Sequence, residues 1–273
     1  MDINRDRAIC VSGMHRSGTS AITRSINLLG VEIGDTNTLM KPHIHNPKGY
    51  WEQKKITQLN DQILDLIGLA WDSEEFIKGR WWESKRILPY KDELKKMIRK
   101  DYGSYKLWLW KDPRTCLLMP LWQEVLNELN IDINYIICIR NPLDIYKSLN
   151  SRDGFSLEKS IRIWFVYTLS ILYWTINSKR SVVHYEDILN APLSTIQSIA
   201  KALNLPKVDI NNASMLNNFI QQKLRHHQST YENFMNHQRV PKSVKDLYST
   251  IISDRNINSK EYNRYISQLY LSQ

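Results

Sequence analysis

Short apolar runs alternate with longer segments of mixed polarity along the first three quarters of the chain. The clearest run covers residues 134–139, which are all apolar after the first residue. Such a run is typical of a strand buried on both faces of a parallel sheet. Shorter runs at residues 8–12, 105–110 and 181–185 predict three further strands.

Between these runs, apolar residues recur at helical spacing. The predicted helices span residues 20–29, 52–69, 91–101, 120–129, 141–150, 157–177 and 192–203. Pro120 and Pro142 suit the first position of a helix, where proline is tolerated. Strands that alternate with helices predict an α/β fold, with a P-loop-like, doubly wound and mostly parallel sheet flanked by helices.

The length of 273 residues fits one domain with its own core. We expect a core of residues 7–205 and a helical C-terminal part of residues 206–273, which is rich in Asn, Gln and Lys. The segment 35–49 is rich in Asn, Pro, His and Gly, and a loop of this length usually has a function.

Composition excludes disordered and fibrous proteins, since 42% of the residues are hydrophobic and 24% are charged. The net charge of +9 favours an anionic ligand, and it is equally compatible with a basic solvated surface. The three cysteines lack metal-binding spacing and read as buried thiols. With neither a signal peptide nor a membrane span expected, we predict a cytoplasmic protein.

Gly13 and Gly18 lie five residues apart between the first predicted strand and the first predicted helix. In this geometry, backbone N–H groups and a helix N-terminus surround a phosphate group. An ordinary P-loop carries lysine where this chain has Thr19. The cation that reaches the β- and γ-phosphates is therefore missing, which disfavours ATP-type phosphoryl transfer. The positive charge of this loop comes from Arg16 instead.

This loop resembles the 5′-phosphosulfate-binding loop of the sulfotransferase superfamily. The bacterial carbohydrate-type and tyrosylprotein-type branches carry the same Arg-Ser-Gly-Thr as residues 16–19. The family's donor is 3′-phosphoadenosine 5′-phosphosulfate (PAPS), and the product is 3′-phosphoadenosine 5′-phosphate (PAP). The resemblance implies that the nucleotide is bound by Gly13, Arg16, Ser17, Gly18, Thr19 and Ser20.

A second motif resembles the 3′-phosphate site of the same family. Arg140 ends the strand at 134–139, and Ser148 follows eight residues later on the next predicted helix. A helix that begins at Pro142 directs Ser148 back towards the strand end, so that both side chains reach one phosphate. Alternatively, Arg140 pairs with Asp144, and Ser148 is an ordinary hydroxyl on the helix surface.

Further segments resemble bacterial sulfotransferases, so the likeness covers residues 7–190. They are Asn-Pro-Lys-Gly-Tyr-Trp-Glu at 46–52, Trp-Lys-Asp-Pro-Arg at 110–114 and His-Tyr-Glu-Asp at 184–187. Arg225 lies in a short Leu-Arg-His match to a basic C-terminal segment that covers the 3′-phosphate in other branches.

Sulfuryl transfer needs a base for the acceptor proton and a cation for the leaving group. We assign the cation role to Arg16, which stabilises charge without giving up its proton. Glu52 is the first candidate for the base, because several branches of the family use a glutamate. The alternative for Glu52 is a favourable contact with a helix dipole, and His15 is the rival base.

Lys111 and Arg114 follow a predicted strand, where they can contact the sulfuryl group or the acceptor. Alternatively, Asp112 and Arg114 pair to hold the turn. Trp81 and Trp82 offer flat faces for a sugar, although large aromatic residues more often pack in the core. We therefore expect a glycan or glycolipid acceptor, followed by a small alcohol or phenol, and no metal requirement.

Two other classes of protein fit the sequence less well. A P-loop nucleotide kinase or phosphotransferase requires lysine at the position of Thr19. A nucleic-acid-binding module needs clustered basic and aromatic residues on one element, whereas the basic residues here are scattered.

Overall fold

A four-stranded parallel sheet forms the centre of the fold in a computed structural model, which describes residues 5–44, 46–207, 210–220, 228–253 and 258–273. The strands are β1 (Asp6–Ser12), β2 (Leu107–Lys111), β3 (Ile131–Ile139) and β4 (Arg180–His184). Their order in the sheet is β2-β1-β3-β4. Their carboxyl ends therefore lie at one edge, where open α/β sheets bind ligands.

Both faces of the sheet are covered by apolar side chains. Successive residues of a strand point to opposite faces. Accordingly, Ala8 and Cys10 belong to one buried cluster, and Ile9 and Val11 belong to a second. This arrangement explains why the strands read as continuous apolar runs in the sequence.

Helices flank the sheet on both sides, and the predicted fold class is confirmed. Those of the first half are α1 (Thr19–Asn27), α2 (Lys54–Leu66), α3 (Leu88–Tyr102), α4 (Thr115–Glu128) and α5 (Pro142–Asp153). Next come α6 (Leu157–Trp174), α7 (Tyr185–Asn190), α8 (Pro192–Leu203) and α9 (Ile210–Phe219). The last three are α10 (Tyr231–Met235), α11 (Lys242–Ser253) and α12 (Lys260–Leu271).

Two helix starts differ from the sequence prediction. α4 begins at Thr115 and contains Pro120, which we had placed at the first helical position. Its residues 115–122 are all buried, so tertiary packing extends the helix in spite of the proline. α2 begins at Lys54, after Gln53 as its N-cap, and Glu52 consequently lies outside the helix.

A short apolar segment between Gly30 and Gly34 lies against the edge of the sheet. Glu32 forms an isolated parallel bridge with Trp108 of β2. The amide of Leu109 donates to the carbonyl of Glu32 at 2.7 Å. The backbone of this segment thus adds main-chain partners to the outer strand.

The C-terminal helices share the core of the sheet. Phe234, Leu247 and Ile266 are buried in the same cluster as Trp110 of β2. Arg180 of β4 donates to the side chain of Asn263 at 2.9 Å, which joins the sheet to α12. In the part of the chain that the structure describes, no helix is long and apolar enough to cross a membrane.

Candidate functional site

A cavity lies at the carboxyl ends of β1, β2 and β3, where most of the predicted nucleotide residues meet. Its lining includes His15, Arg16, Gly18, Thr19, Ser20, Lys48, Tyr50, Glu52, Lys111, Arg140, Ser148, Arg152, Tyr185 and Phe219. The elements that supply these side chains are far apart in the sequence, and the parallel topology brings their ends together.

The loop between β1 and α1 is packed closely onto its neighbours. Gly13 has a φ of 141°, and a Cβ atom there would lie 2.5 Å from the carbonyl oxygen of Cys138. Gly18 has a φ of 91°, and its Cβ would lie 2.4 Å from the ring of Tyr185. Only glycine fits at both positions. Gly13 shapes the loop without lining the cavity.

The hydroxyl residues of this loop hold its conformation. Ser17 is buried and donates to the carbonyl of Met14 at 2.6 Å. Ser20 donates to the carbonyl of Tyr50 at 3.0 Å, which connects α1 to the loop before α2. Thr19 is the first residue of α1, at the end of the helix dipole that favours an anion.

Arg16 joins the two predicted phosphate sites. Its Nε donates to the hydroxyl of Ser148 at 2.8 Å, across 132 residues of sequence. Its φ of 72° is in the left-handed region, which costs a residue other than glycine free energy and is common at functional sites. Burial lowers the pKa of Arg16, and the positive charges of Arg152 and Arg140 lower it further. The cavity therefore concentrates positive charge around this side chain.

Arg140 lies at the end of β3, directly before α5. Asn141 caps this helix by accepting a hydrogen bond from the amide of Leu143 at 3.0 Å. Arg140 donates to the carbonyl of Arg16 at 3.0 Å and stacks 4.3 Å from the centre of the Tyr185 ring. The alternative contact with Asp144 is long, at 4.0 Å. The position of Arg140 is thus set mainly by the first loop and by Tyr185.

The site offers positive charge and a hydrogen-bond donor to an anionic ligand. Arg140 Nε is a buried donor that bonds to no described residue, as suits a group that receives an oxyanion. Arg140, Ser148 and Arg16 converge from two strand-to-helix junctions on neighbouring strands. Among the described residues, no group of three His, Cys, Asp or Glu side chains is arranged to hold a metal ion.

Glu52 forms a buried ion pair with Lys111, and it lies before α2, whose first turn contains no acidic residue. The helix-dipole alternative for Glu52 is therefore wrong. Lys111 also donates to the carbonyl of Tyr50 at 3.3 Å. Burial raises the pKa of Glu52, and the ammonium of Lys111 opposes that rise. A carboxylate in this setting is a stronger base than an exposed one.

His15 lines the same cavity and packs against two aromatic rings. Its ring lies 4.8 Å from that of Trp71 and 5.8 Å from that of Tyr167. Burial lowers the pKa of His15, and the charge of Arg114 lowers it further. Its Nε2 is buried without a hydrogen-bond partner among the described residues. His15 is therefore neutral at physiological pH, and it lines the cavity together with Glu52.

Arg114 holds the turn after β2. It pairs with Asp61, and its Nη1 lies 3.0 Å from Asp112 Oδ1. Asp112 in turn accepts a hydrogen bond from Asn60 at 3.1 Å. Arg114 does not line the cavity, and its contacts are those of the alternative in which it pairs with Asp112 to hold the turn. Lys111 does line the cavity.

Trp81 and Trp82 pack elsewhere. The ring of Trp82 lies 5.4 Å from that of Trp174 in α6, and Trp81 lies 5.9 Å from Trp82. Neither lines the cavity, because both pack in an aromatic cluster against the main core. Arg225 lies outside the described residues.

The cavity also contains residues to which sequence reasoning gave no role. Tyr185 and Lys48 were each noted only as part of a motif. The amine of Lys48 donates to the carbonyl of Phe219 at the end of α9. Arg152 had one usable signal, its position four residues after Ser148 on the same helix, which places both on one face.

No protein-family model matches the chain, and no curated protein sequence matches it. Similar solved structures include a sulfotransferase from Mycobacterium avium, with 12% identity and a TM-score of 0.49 over 83% of this chain and 70% of that one. The sulfotransferase domain of an olefin synthase from Synechococcus has 15% identity and a TM-score of 0.42, over 99% of this chain and 97% of that one. A sulfotransferase domain from the curacin biosynthetic pathway has 16% identity and a TM-score of 0.43, over 97% and 98% of the two chains.

Proposed function

We propose that this protein is a sulfotransferase, which transfers the sulfuryl group of PAPS to an acceptor hydroxyl. One observation carries the proposal. The junctions β1–α1 and β3–α5 open into one cavity, and the hydrogen bond from Arg16 to Ser148 connects them. Two anion sites in one cavity suit a nucleotide with a phosphate on its 3′-oxygen and a phosphosulfate on its 5′-oxygen.

Arg140 and Ser148 would bind the 3′-phosphate, and the amides around Gly18 and Thr19 would bind the 5′-phosphosulfate. The proposal also accounts for Thr19, since a kinase needs lysine there and a sulfotransferase of this kind has its cation at Arg16. A nucleotide kinase remains the second candidate, but it has no use for a separate site at Arg140.

In the proposed mechanism, different residues act on the acceptor side and on the leaving-group side of the sulfur atom. When bound, PAPS supplies an activated sulfuryl group. Glu52 accepts the proton of the acceptor hydroxyl while the new S–O bond forms. Arg16 stabilises the negative charge on the bridging oxygen as the old S–O bond breaks. Lys111 holds Glu52 in place, and it lines the cavity in which the sulfuryl group would lie.

The acceptor is proposed at the end of the cavity that His15 and Glu52 line. A glycan or glycolipid, or a smaller alcohol, would lie beside His15 at this end. The ring of Trp71 packs against His15 without lining the cavity, so its proposed role is to support His15. His15 is the alternative base, since its neutral imidazole faces the same space.

Calorimetry with PAP, ATP and adenosine 5′-phosphosulfate tests the proposed donor. We expect PAP to bind most tightly, because it alone supplies the 3′-phosphate. Arg140→Gln should weaken PAP by about tenfold or more, the value of one charge-assisted contact. The same substitution should leave adenosine 5′-phosphosulfate binding nearly unchanged.

Arg162→Gln is the matched control, because Arg162 also stacks on an aromatic ring, that of Phe76, and does not line the cavity. It should leave PAP affinity as in the unmodified protein. Tighter binding of ATP than of PAP would contradict the proposed donor. So would equal losses of affinity for PAP and for adenosine 5′-phosphosulfate in Arg140→Gln.

A further inference from the structure

Arg152 lines the end of the cavity that we propose for the acceptor. It lies four residues after Ser148 on α5, so both side chains project from the same helix face. Ser148 belongs to the proposed nucleotide site, and the next turn of the helix leads away from it. Arg152 thus lies one helical turn beyond Ser148, with 18% of its side chain exposed.

An aromatic stack fixes the position of Arg152. Its guanidinium lies 5.3 Å from the centre of the Trp71 ring. The other neighbours of Trp71 are Phe155, stacked at 5.6 Å, and His15, at 4.8 Å. Arg152 and the candidate base His15 therefore contact the same indole, which places the guanidinium next to the reacting centre.

The other cations near this end already have carboxylate partners. Lys111 is paired with Glu52, and Arg114 is paired with two aspartates. Arg152 differs from them, since only its Nε donates to a carboxylate, that of Asp153, at 2.7 Å. Its two terminal amino groups donate to no residue that the structure describes.

A guanidinium held this way is suited to a carboxylate. Its Nε side is occupied by Asp153, so the terminal nitrogens are directed at other acceptors, and a planar guanidinium recognises a planar carboxylate through parallel hydrogen bonds. The indole beneath it excludes water from one face, which strengthens such a contact. The lining also carries an excess of cations, with Arg16, Lys48, Lys111, Arg140 and Arg152 against Glu52.

On the basis of the proposed sulfotransferase function, we propose that Arg152 selects acceptors that carry a carboxylate close to the hydroxyl that is sulfated. The acceptor class is accordingly an acidic alcohol, phenol or sugar. Arg152 binds the carboxylate, Trp71 supports the guanidinium of Arg152, and Glu52 faces the hydroxyl.

The test uses the full chain saturated with PAP and pairs of acceptors that differ only in charge. The probes are 4-hydroxybenzoate against 4-hydroxybenzamide, and a methyl glucuronoside against its carboxamide. Calorimetry measures the binding of each. In at least one pair, the carboxylate should bind about tenfold or more tightly than the amide, as expected for a charge-assisted contact.

Arg152→Gln should abolish this preference. Arg152→Lys should retain only part of it, because lysine keeps the positive charge but lacks the two parallel N–H donors of a planar guanidinium. Lys159→Gln is the matched control. Lys159 lies 4.1 Å from the Phe155 ring of the same aromatic stack, pairs with Asp72 and does not line the cavity. It should leave the preference intact.

The outcomes separate this inference from the proposed function. A protein that does not bind PAP overturns both. If PAP binds and no carboxylate binds more tightly than its amide, or none of the probes binds, the inference fails alone. It also fails if Arg152→Gln weakens PAP as much as it weakens the carboxylate, since Arg152 would then belong to the nucleotide site.

Discussion

Glu52 and Lys111 form a buried ion pair between residues 59 positions apart in the sequence. Both side chains were candidates from the sequence, Glu52 as a base and Lys111 as a contact for the acceptor. Their pairing depends on β2 ending beside the loop that precedes α2, which no local pattern records. The sequence could thus predict that these two residues belong to the site. Only the packed structure shows that they pair with each other.

Replacing each candidate base should identify the group that accepts the proton. Glu52→Gln should lower kcat by at least about 100-fold, whereas His15→Gln should have a smaller effect. Because burial raises the pKa of Glu52, its base form should be lost at a higher pH than for an exposed glutamate as the medium is acidified. The pH profile of kcat/KM should therefore fall on its acid side through this raised pKa, and the fall should disappear in Glu52→Gln.

Glu124→Gln is the control for breaking an ion pair, since Glu124 pairs with Lys91 outside the cavity. Its kcat should match that of the unmodified protein. A larger loss in His15→Gln than in Glu52→Gln would make His15 the base instead.

At the scale of elements, the β1–α1 loop shows how close packing fixes a binding site. Its glycine spacing was visible in the sequence, and so was its place between a strand and a helix. The sequence did not show that the loop lies against the carbonyl of Cys138 in β3 and the ring of Tyr185 in α7. These contacts bring the two proposed phosphate sites together.

Gly13→Ala should disrupt that packing. The new Cβ would overlap the backbone of β3, and alanine is strained at a φ of 141°. We expect a loss of PAP affinity together with a decrease of about 3 kcal/mol in the free energy of unfolding. Calorimetry and chemical denaturation measure the two effects.

Gly30→Ala is the control that has backbone strain without steric overlap. Gly30 has a φ of 87°, and no atom lies within 4 Å of the position that a Cβ would take. It should cost about 1 kcal/mol and leave PAP affinity unchanged. If Gly13→Ala bound PAP normally, the loop would tolerate a shift away from β3, and its geometry would not set the site.

Local signals predicted some elements well and others poorly. The strands were visible because they are short apolar runs, and the helix at residues 192–203 was predicted with the bounds that α8 shows. The start of α4 was missed because Pro120 suggested a helix start, while burial of the preceding turn continues the helix before it. Tertiary contacts outweigh a local preference there.

At the scale of the whole molecule, the C-terminal helices complete the core of the sheet. Their sequence is rich in polar residues and carries no motif, so only helical content could be predicted. The structure buries Ile266 of α12 in the cluster that also contains Trp164 of α6. We therefore propose that the chain folds as one cooperative unit.

Ile266→Ala tests whether the chain unfolds as one cooperative unit. It should lower the free energy of unfolding by about 2–4 kcal/mol, through lost burial and a cavity, and should shift a single transition. Leu271→Ala is the control, since Leu271 lies on the same helix and is 73% exposed, and it should change stability by less than about 0.5 kcal/mol. Two denaturation transitions, of which Ile266→Ala moved only one, would show separate domains.

The segment at Glu32 has a consequence for the behaviour of the protein at high concentration. The outer strand of a sheet exposes amide and carbonyl groups that recruit strands from other molecules and begin aggregation. Here the backbone of Glu32 accepts from Leu109 and donates to Leu107 at 3.4 Å, so the centre of β2 is already paired within its own chain. The same few residues that look like an interrupted strand protect the sheet from intermolecular growth at this edge.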